Sequence, residues 1–294
     1  MKSAYLKYIL ALLLFGSNGI VASRIALTSY EIVLLRTLIG SALLIFIFIF
    51  SKQKINFLQY KKQFAFIAVS GIAMGASWMF LYEAYKLIGV SLASLAYYCG
   101  PVIVMVLSPL LFHEKLTWPK ITGFLVVLCG VVLVNGGAIQ DGKNILGLFY
   151  GGMSAVTLAV LVIFNKLAKP ITGLENSVVQ LFISFLTAAV YVGLRQGLTI
   201  QVSGEDWIPI LLLGVLNTGV GCYLYFSSIG HLPVQTVAIS GYLEPLSAVV
   251  FSVLFLGETM LPGQIAGAAC ILGGAVLGER RTVRKLGVRH RVLK

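Results

Sequence analysis

Residues 97–101 read Tyr-Tyr-Cys-Gly-Pro, and residues 241–245 read Gly-Tyr-Leu-Glu-Pro. Each stretch lies deep inside an apolar run, where proline removes a helical hydrogen bond and clashes with the carbonyl four residues back. The two are 144 residues apart, and their flanks superimpose without a gap. Residues 87–134 laid on 231–278 give thirteen identities in 48 positions, among them Tyr98/Tyr242, Pro101/Pro245, Ser108/Ser252, Glu114/Glu258, Gly123/Gly267 and Gly130/Gly274. Apolar matches come easily in a chain like this one; matched Pro, Glu and Gly do not. The same shift pairs Thr28 with Thr172, Glu31 with Glu175 and Gly75 with Gly219. The chain reads as two copies of one unit, each with a helix break at the same place.

Composition says what solvent surrounds those copies. Of 294 residues, 59% are hydrophobic and 11% charged, with a mean hydropathy of +0.96. A soluble globular protein carries about a quarter charged residues, so this chain cannot cover a water-facing surface and the lipid bilayer is its expected partner. Apolar runs of roughly 17–25 residues, enough to cross a bilayer core, occur ten times. Their centres lie near Leu14, Leu43, Ala76, Val102, Leu128, Thr157, Phe185, Leu216, Val249 and Leu272. The expected fold is an all-α membrane protein of ten transmembrane helices. Two copies of five helices must enter the membrane in opposite senses, so the repeats are inverted: helices 1–5 in residues 1–140, helices 6–10 in 141–279, and a basic tail over 280–294.

The net charge of +12 is the kind that nucleic-acid binders carry, but its distribution argues otherwise. With the N-terminus inside, the cytoplasmic segments hold 17 Lys and Arg and the outer segments hold Arg24, Lys86, Lys143 and Arg195. Seventeen against four places both termini in the cytoplasm by the positive-inside rule. No nucleic-acid partner is expected. The N-terminal apolar stretch after Lys2 and Lys7 is read as a retained first span. The four cysteines lie in apolar runs as small packing groups, and the three histidines are scattered. No metal, cofactor or enzymatic motif is recognisable.

The residues that could carry chemistry follow. Thr28–Glu31 and Thr172–Glu175 have capping-box spacing ahead of helices 2 and 7. Glu114 and Glu258 are expected as turn and cap residues, with gating the alternative, and Gly123, Gly130, Gly267 and Gly274 as positions where helices approach closely. Charges inside spans are costly, at about 2.5–3.5 kcal/mol even on the mildest scale, and mark functional positions by default. Arg36 and Glu83 lie at similar depth. They are expected either to pair, or to leave Arg36 for a substrate carboxylate, with snorkelling of Arg36 to the interface the competing reading. Glu244 is too deep to snorkel and stands beside Pro245, so it is expected to bind a cationic or amino group or to couple protons, with Glu83 a second coupling candidate. Trp78, Tyr82, Tyr97, Tyr98, Tyr223, Tyr225 and Tyr242 crowd the same level, with Asn217 and Thr218. Such a lining suits an amphipathic or aromatic solute, including cations bound through ring faces. Interrupted helices at corresponding places in two halves point to a transporter's binding site; Gly100, Pro101 and Pro245 are the expected hinge.

Taken with those motifs, the whole chain resembles the drug/metabolite transporter superfamily, and within it the EamA-like ten-helix exporters. The resemblance rests on Leu-Phe-Gly-Ser-Asn-Gly at 14–19, although Phe15 stands where Trp is commoner, and on Arg36 within helix 2. It rests above all on a tandem signature: Pro101, Glu114 and Gly123, then Pro245, Glu258 and Gly267. The resemblance implies alternating access, with helices 3, 4, 8 and 9 around a central cavity, in a multi-pass protein of the bacterial cell membrane. It also implies export of amino acids or related metabolites or drugs, and the tyrosine-rich lining fits the aromatic amino acid branch. An uptake or exchange carrier for a small organic cation or other metabolite is the alternative, with an intramembrane enzyme behind it. A monomer and a homodimer both fit the sequence.

Overall fold

The computed structural model describes residues 2–51, 56–135, 145–198, 200–256 and 262–291, and among them every regular element is helical. In chain order these are α1 (Lys2–Gly16), α2 (Asn18–Ala22), α3 (Ser29–Phe50), α4 (Lys61–Tyr97), α5 (Gly100–Phe112), α6 (Trp118–Asn135), α7 (Ile145–Leu167), α8 (Gly173–Gln196), α9 (Trp207–Leu212), α10 (Gly221–Ile229), α11 (Val234–Ser240), α12 (Leu243–Leu256) and α13 (Pro262–Arg291). A π-helical segment, Leu213–Val220, joins α9 to α10. Among the described residues six stretches are long and apolar enough to cross a membrane: Ser3–Ala22, Ser29–Phe50, Lys61–Ile88, Ile145–Leu167, Gly173–Gln196 and Gly204–Ile229. Gly100–Phe112, Trp118–Leu133 and Ile265–Leu277 are shorter apolar helices.

Both proline stretches interrupt the chain, each by the same device. Helix α4 ends at Tyr97, and α5 begins with Pro101 in its first turn, where the missing N–H would have no helical partner anyway. In the second copy α11 ends at Ser240 and α12 opens at Leu243. There the Gly241 carbonyl, which Pro245 cannot reach, accepts from the Glu244 amide at 3.1 Å. The prolines open new helices; they do not kink old ones.

The third and fourth spans differ from a simple loop-separated pair. Helical hydrogen bonding runs on from Lys61 to Tyr97, yet the chain cannot be straight. Ala84 and Ala96 would stand about 18 Å apart along a straight helix, but both lie within 4.0 Å of where a Cβ on Gly151 would sit. Ser70 and Ser77 donate to the carbonyls of Leu161 and Ser154, which runs this part of α4 antiparallel to α7. Beyond the reversal, Ala96 meets Gly151 and Gly100 meets Ala155 and Leu158, in parallel sense. The chain therefore turns back between Ile88 and Ala93. In the second copy the equivalent turn carries Pro233, which forces a break between α10 and α11; in the first the aligned residue is Gly89, which imposes none.

The contacts between helices are reciprocal under the 144-residue shift. A Cβ on Gly130 would lie 2.6 Å from the Gly267 carbonyl oxygen, and one on Gly274 would lie 2.5 Å from that of Gly123. Gly75 packs on Ser184 and Thr187 of α8, while its counterpart Gly219 packs on Gly40 and Leu43 of α3. On the axis of this exchange the two equivalent tyrosines meet: Tyr242 donates to the Tyr98 carbonyl at 2.7 Å, with ring centroids 6.3 Å apart. This is the self-complementary pattern of a twofold interface, and a two-repeat architecture fits it. Because the α6–α13 crossing brings backbone onto backbone, Gly130→Ala and Gly274→Ala are each expected to cost about 1–3 kcal/mol. Thermal denaturation in detergent should show it, with the exposed Gly273→Ala as a neutral control.

The helix starts diverge between the copies. Thr28 and Glu31 form the expected capping box, with the Thr28 amide donating to Glu31 at 2.8 Å. Thr172 does not: Gly173 takes the left-handed conformation (φ 65°) and the Thr172 side chain caps nothing. Glu175 is buried instead, accepting from the backbone amides of Asn56 and Phe57 at 2.6 and 2.7 Å.

Candidate functional site

Two adjoining cavities occupy the middle of the bundle. Both have Phe15, Asn18, Trp78, Tyr97, Tyr98 and Glu244 in their walls. The wider, about 600 Å³, extends past Arg36 and Tyr82 to the α2–α3 connection (Ala22, Ile25, Leu27, Ser29) and to Lys86. The smaller, about 90 Å³, lies deeper, among Tyr8, Leu12, Met74, Val104, Tyr225 and Phe226. Sites of a few hundred Å³ with mostly apolar walls and a few fixed polar groups are the usual form of a small-molecule site.

Arg36 is held from two sides. It is 3% exposed, its Nε donates to the Thr218 hydroxyl at 2.9 Å, and its guanidinium carbon lies 4.7 Å from the Trp78 ring centroid. Thr218 is available because of the π-helical segment: its hydroxyl donates five residues back to the Leu213 carbonyl at 2.8 Å and still accepts from Arg36. π-Segments of this kind recur at functional sites. Nη2 of Arg36 is buried without a partner.

The expected Arg36–Glu83 pair does not form. Glu83 accepts from the Tyr191 hydroxyl at 3.3 Å on the α8 side. The reason is helical geometry: Trp78, which faces Arg36, and Glu83 are five residues apart, about 140° around the helix. Tyr82, four residues from Trp78, stays on the cavity face.

Other expected site residues separate into two groups. Trp78, Tyr82, Tyr97, Tyr98, Arg36, Glu244 and Pro101 line one or both cavities, as does Tyr225. Gly100 faces α7 instead, with Leu158 and Ala155 against it. Asn217 lines neither cavity. Its amide donates to the Leu14 carbonyl, the Ser17 hydroxyl and Asn18 Oδ1 at 2.8–3.1 Å, tying the break between α1 and α2. Tyr223 packs outside the walls, with the Lys7 ammonium 5.6 Å over its ring. Tyr242 is fully buried and occupied with Tyr98. The first span supplies residues that the sequence does not single out: Tyr8, Phe15 and Asn18 all line the cavities. Their signal is a polar Ser17-Asn18 pair late in the span and Tyr8, which follows Tyr5 and Lys7 at its start.

The end of the bundle away from Lys86 is closed by polar contacts. Helix α7 starts beside Ile88, where Gly147 packs, and carries Lys166 in its last turn, so Lys166 marks that far end. Its ammonium donates to the carbonyls of Ile229 (2.8 Å) and Leu232 in the α10–α11 turn. His113 closes α5 in the left-handed conformation (φ 54°). Glu114, next in the chain, accepts from the amides of Val234 at 2.7 Å and Gln235 at 3.2 Å. The Gln235 side chain donates in turn to the Ser108 hydroxyl at 3.0 Å. Glu114 thus caps a helix of the other half, not its own turn. Its counterpart Glu258, and the loop around it, lie outside the described residues.

Comparison with known proteins agrees with this arrangement. The EamA-like transporter family matches residues 2–136 and again 145–278. An uncharacterized transporter of Bacillus subtilis, YxxF, is 25% identical over 98% of this chain and 93% of its own length. A probable terminal-alkyne amino-acid exporter of Streptantibioticus cattleyicolor is 28% identical over 65% of this chain and 64% of its own. A solved crystal structure at 20% identity superposes with a TM-score of 0.81, covering 94% of this chain and 97% of the other, which shows a shared fold. The chain is a multi-pass membrane transporter and belongs to the EamA-like family.

Proposed function

We propose that the protein exports small amphipathic metabolites, amino acids among them, across the bacterial cell membrane by alternating access. In this reading ten spans form two inverted halves, 1–140 and 141–279. Both termini and the basic tail 280–294 are cytoplasmic, and substrate occupies the central cavity. Trp78, Tyr82, Tyr97 and Tyr98 provide its aromatic walls, Arg36 and Glu244 its charge, and Pro101 and Pro245 the breaks about which the halves move. The observation that carries the reading is a central cavity that reaches one end of the bundle while, among the described residues, polar groups of both halves meet at the other. The cavity widens toward Lys86, while the opposite end is tied shut by Glu114, Lys166 and Gln235. Such asymmetry is expected of a pseudo-symmetric transporter at rest in one of its two states.

An uptake or exchange carrier for an organic cation is the second reading, favoured by a carboxylate, Glu244, set among aromatic rings. Purified protein in proteoliposomes, offered a panel of amino acids and cationic drugs with and without a pH gradient, tests both. Saturable flux of at least one amino acid is expected. Flux of cations alone would favour the second reading, and no saturable flux of any member would contradict both.

A further inference from the structure

We propose that the cavity recognises its solute as a zwitterion, with Arg36 receiving a carboxylate, Glu244 receiving an ammonium group on the neighbouring carbon, and the deeper apolar cavity receiving an uncharged side chain. The proposal rests on the exporter reading above and sharpens it from a class of solutes to a pattern of charge.

Three observations meet here. Arg36 and Glu244 both stand in the wall of the wider cavity, yet neither forms an ion pair or a hydrogen bond with the other. Arg36 is fixed by Thr218 and Trp78 but keeps Nη2 buried and unpartnered. Glu244 hydrogen-bonds through its backbone, to the Gly241 carbonyl and from the Ser247 hydroxyl, and its carboxylate accepts from no described residue. Two opposite charges in the wall of one cavity, with no hydrogen bond between them, are each incompletely satisfied, and a buried charge left so is costly. A zwitterion completes both at once. A simple acid leaves Glu244 unmet, and a simple amine leaves Arg36 unmet. The deeper cavity adds Leu12, Met74, Val104 and Phe226 to the walls, with the rings of Tyr8 and Tyr225, and its one charged lining residue is the shared Glu244, so the part of the solute that enters it is an uncharged side chain. Sites built to meet a polar group reject analogues that lack it far more strongly than apolar pockets reject a missing methylene.

The test is competition against labelled phenylalanine counterflow in proteoliposomes of the full chain. The competitors are unlabelled phenylalanine, phenylalanine methyl ester, N-acetylphenylalanine, phenethylamine and 3-phenylpropionate, with ethidium flux measured alongside. Phenylalanine is expected to compete at least about tenfold better than any analogue lacking one charge, as loss of one charge-assisted hydrogen bond implies. Arg36→Gln should erase the preference over the ester and the amine while keeping that over the acid. Glu244→Gln should do the reverse. The ester or the amine competing as well as phenylalanine in the wild type would overturn the role of Arg36. Equal competition by N-acetylphenylalanine or 3-phenylpropionate would overturn that of Glu244. Ethidium flux without phenylalanine flux would overturn the zwitterion and leave a transporter standing; no flux of either would remove both. The analogue series needs no variant, so a misfolded mutant cannot rescue the idea.

Discussion

Glu114→Ala combined with Lys166→Met is expected to open the closed end of the bundle. Four backbone groups of the α10–α11 turn and the start of α11 lose charged partners: the amides of Val234 and Gln235, and the carbonyls of Ile229 and Leu232. Hydrogen bonds to charged groups are worth about 1.5–3 kcal/mol each, and about 1.4 kcal/mol is a factor of ten in population. Even the weakest case shifts the equilibrium more than tenfold. A cysteine placed at Leu232, which is buried in this state, reads the change in a background with Cys99, Cys129, Cys222 and Cys270 replaced. Maleimide labelling of the double variant should rise at least about tenfold over the parent. Unchanged labelling would show that these contacts do not hold the end closed. The corresponding flux prediction is loss of concentrative transport, because the site then dwells in one state.

Trp78→Ala is the second large effect, and it strikes stability and transport together. The indole lies at the junction of two buried clusters, lines both cavities and supports the guanidinium of Arg36. Trp78 is only partly buried, so its truncation should fall toward the low end of the ~3–5 kcal/mol typical of a core tryptophan. The released Arg36 then loses one of its two supports, and flux should fall at least about tenfold. Trp78→Phe restores a ring face for the cation and should recover most of both properties. Equal loss in the Phe and Ala variants would mean that the indole acts through something other than its ring face, such as its N–H.

Much of this architecture is readable in the chain because it is repeated. Pro101 and Pro245 announce the two breaks, and the spacing of Gly123, Gly130, Gly267 and Gly274 announces a helix crossing that is found with backbone against backbone. What could not be read was the direction in which a side chain leaves its helix. Glu83 and Arg36 share a depth but not a face. Asn217 has the polarity of a site residue but spends its amide on the Leu14 carbonyl, Ser17 and Asn18 where α1 gives way to α2. Thr172 has the letters of a capping box, yet its side chain makes no cap hydrogen bond beside a glycine of positive φ. The closing contacts were beyond reach for a different reason: Glu114 and Val234 are 120 residues apart, and only the folded bundle brings a turn of one half onto a helix start of the other. The reversal of α4 shows the same limit, since Gly89 carries none of the signal that Pro233 does.

In the proposed mechanism a single cavity reaches one side of the membrane at a time. Phe15 lines both of its parts, so Phe15→Cys in the cysteine-free background reports on it directly. A membrane-impermeant maleimide is applied to vesicles of each orientation, with and without amino acid. Rapid labelling is expected from the face that carries Lys86 and the α2–α3 connection, with slow labelling from the opposite face and protection by substrate. Comparable labelling from both faces at once would describe a pore and contradict it.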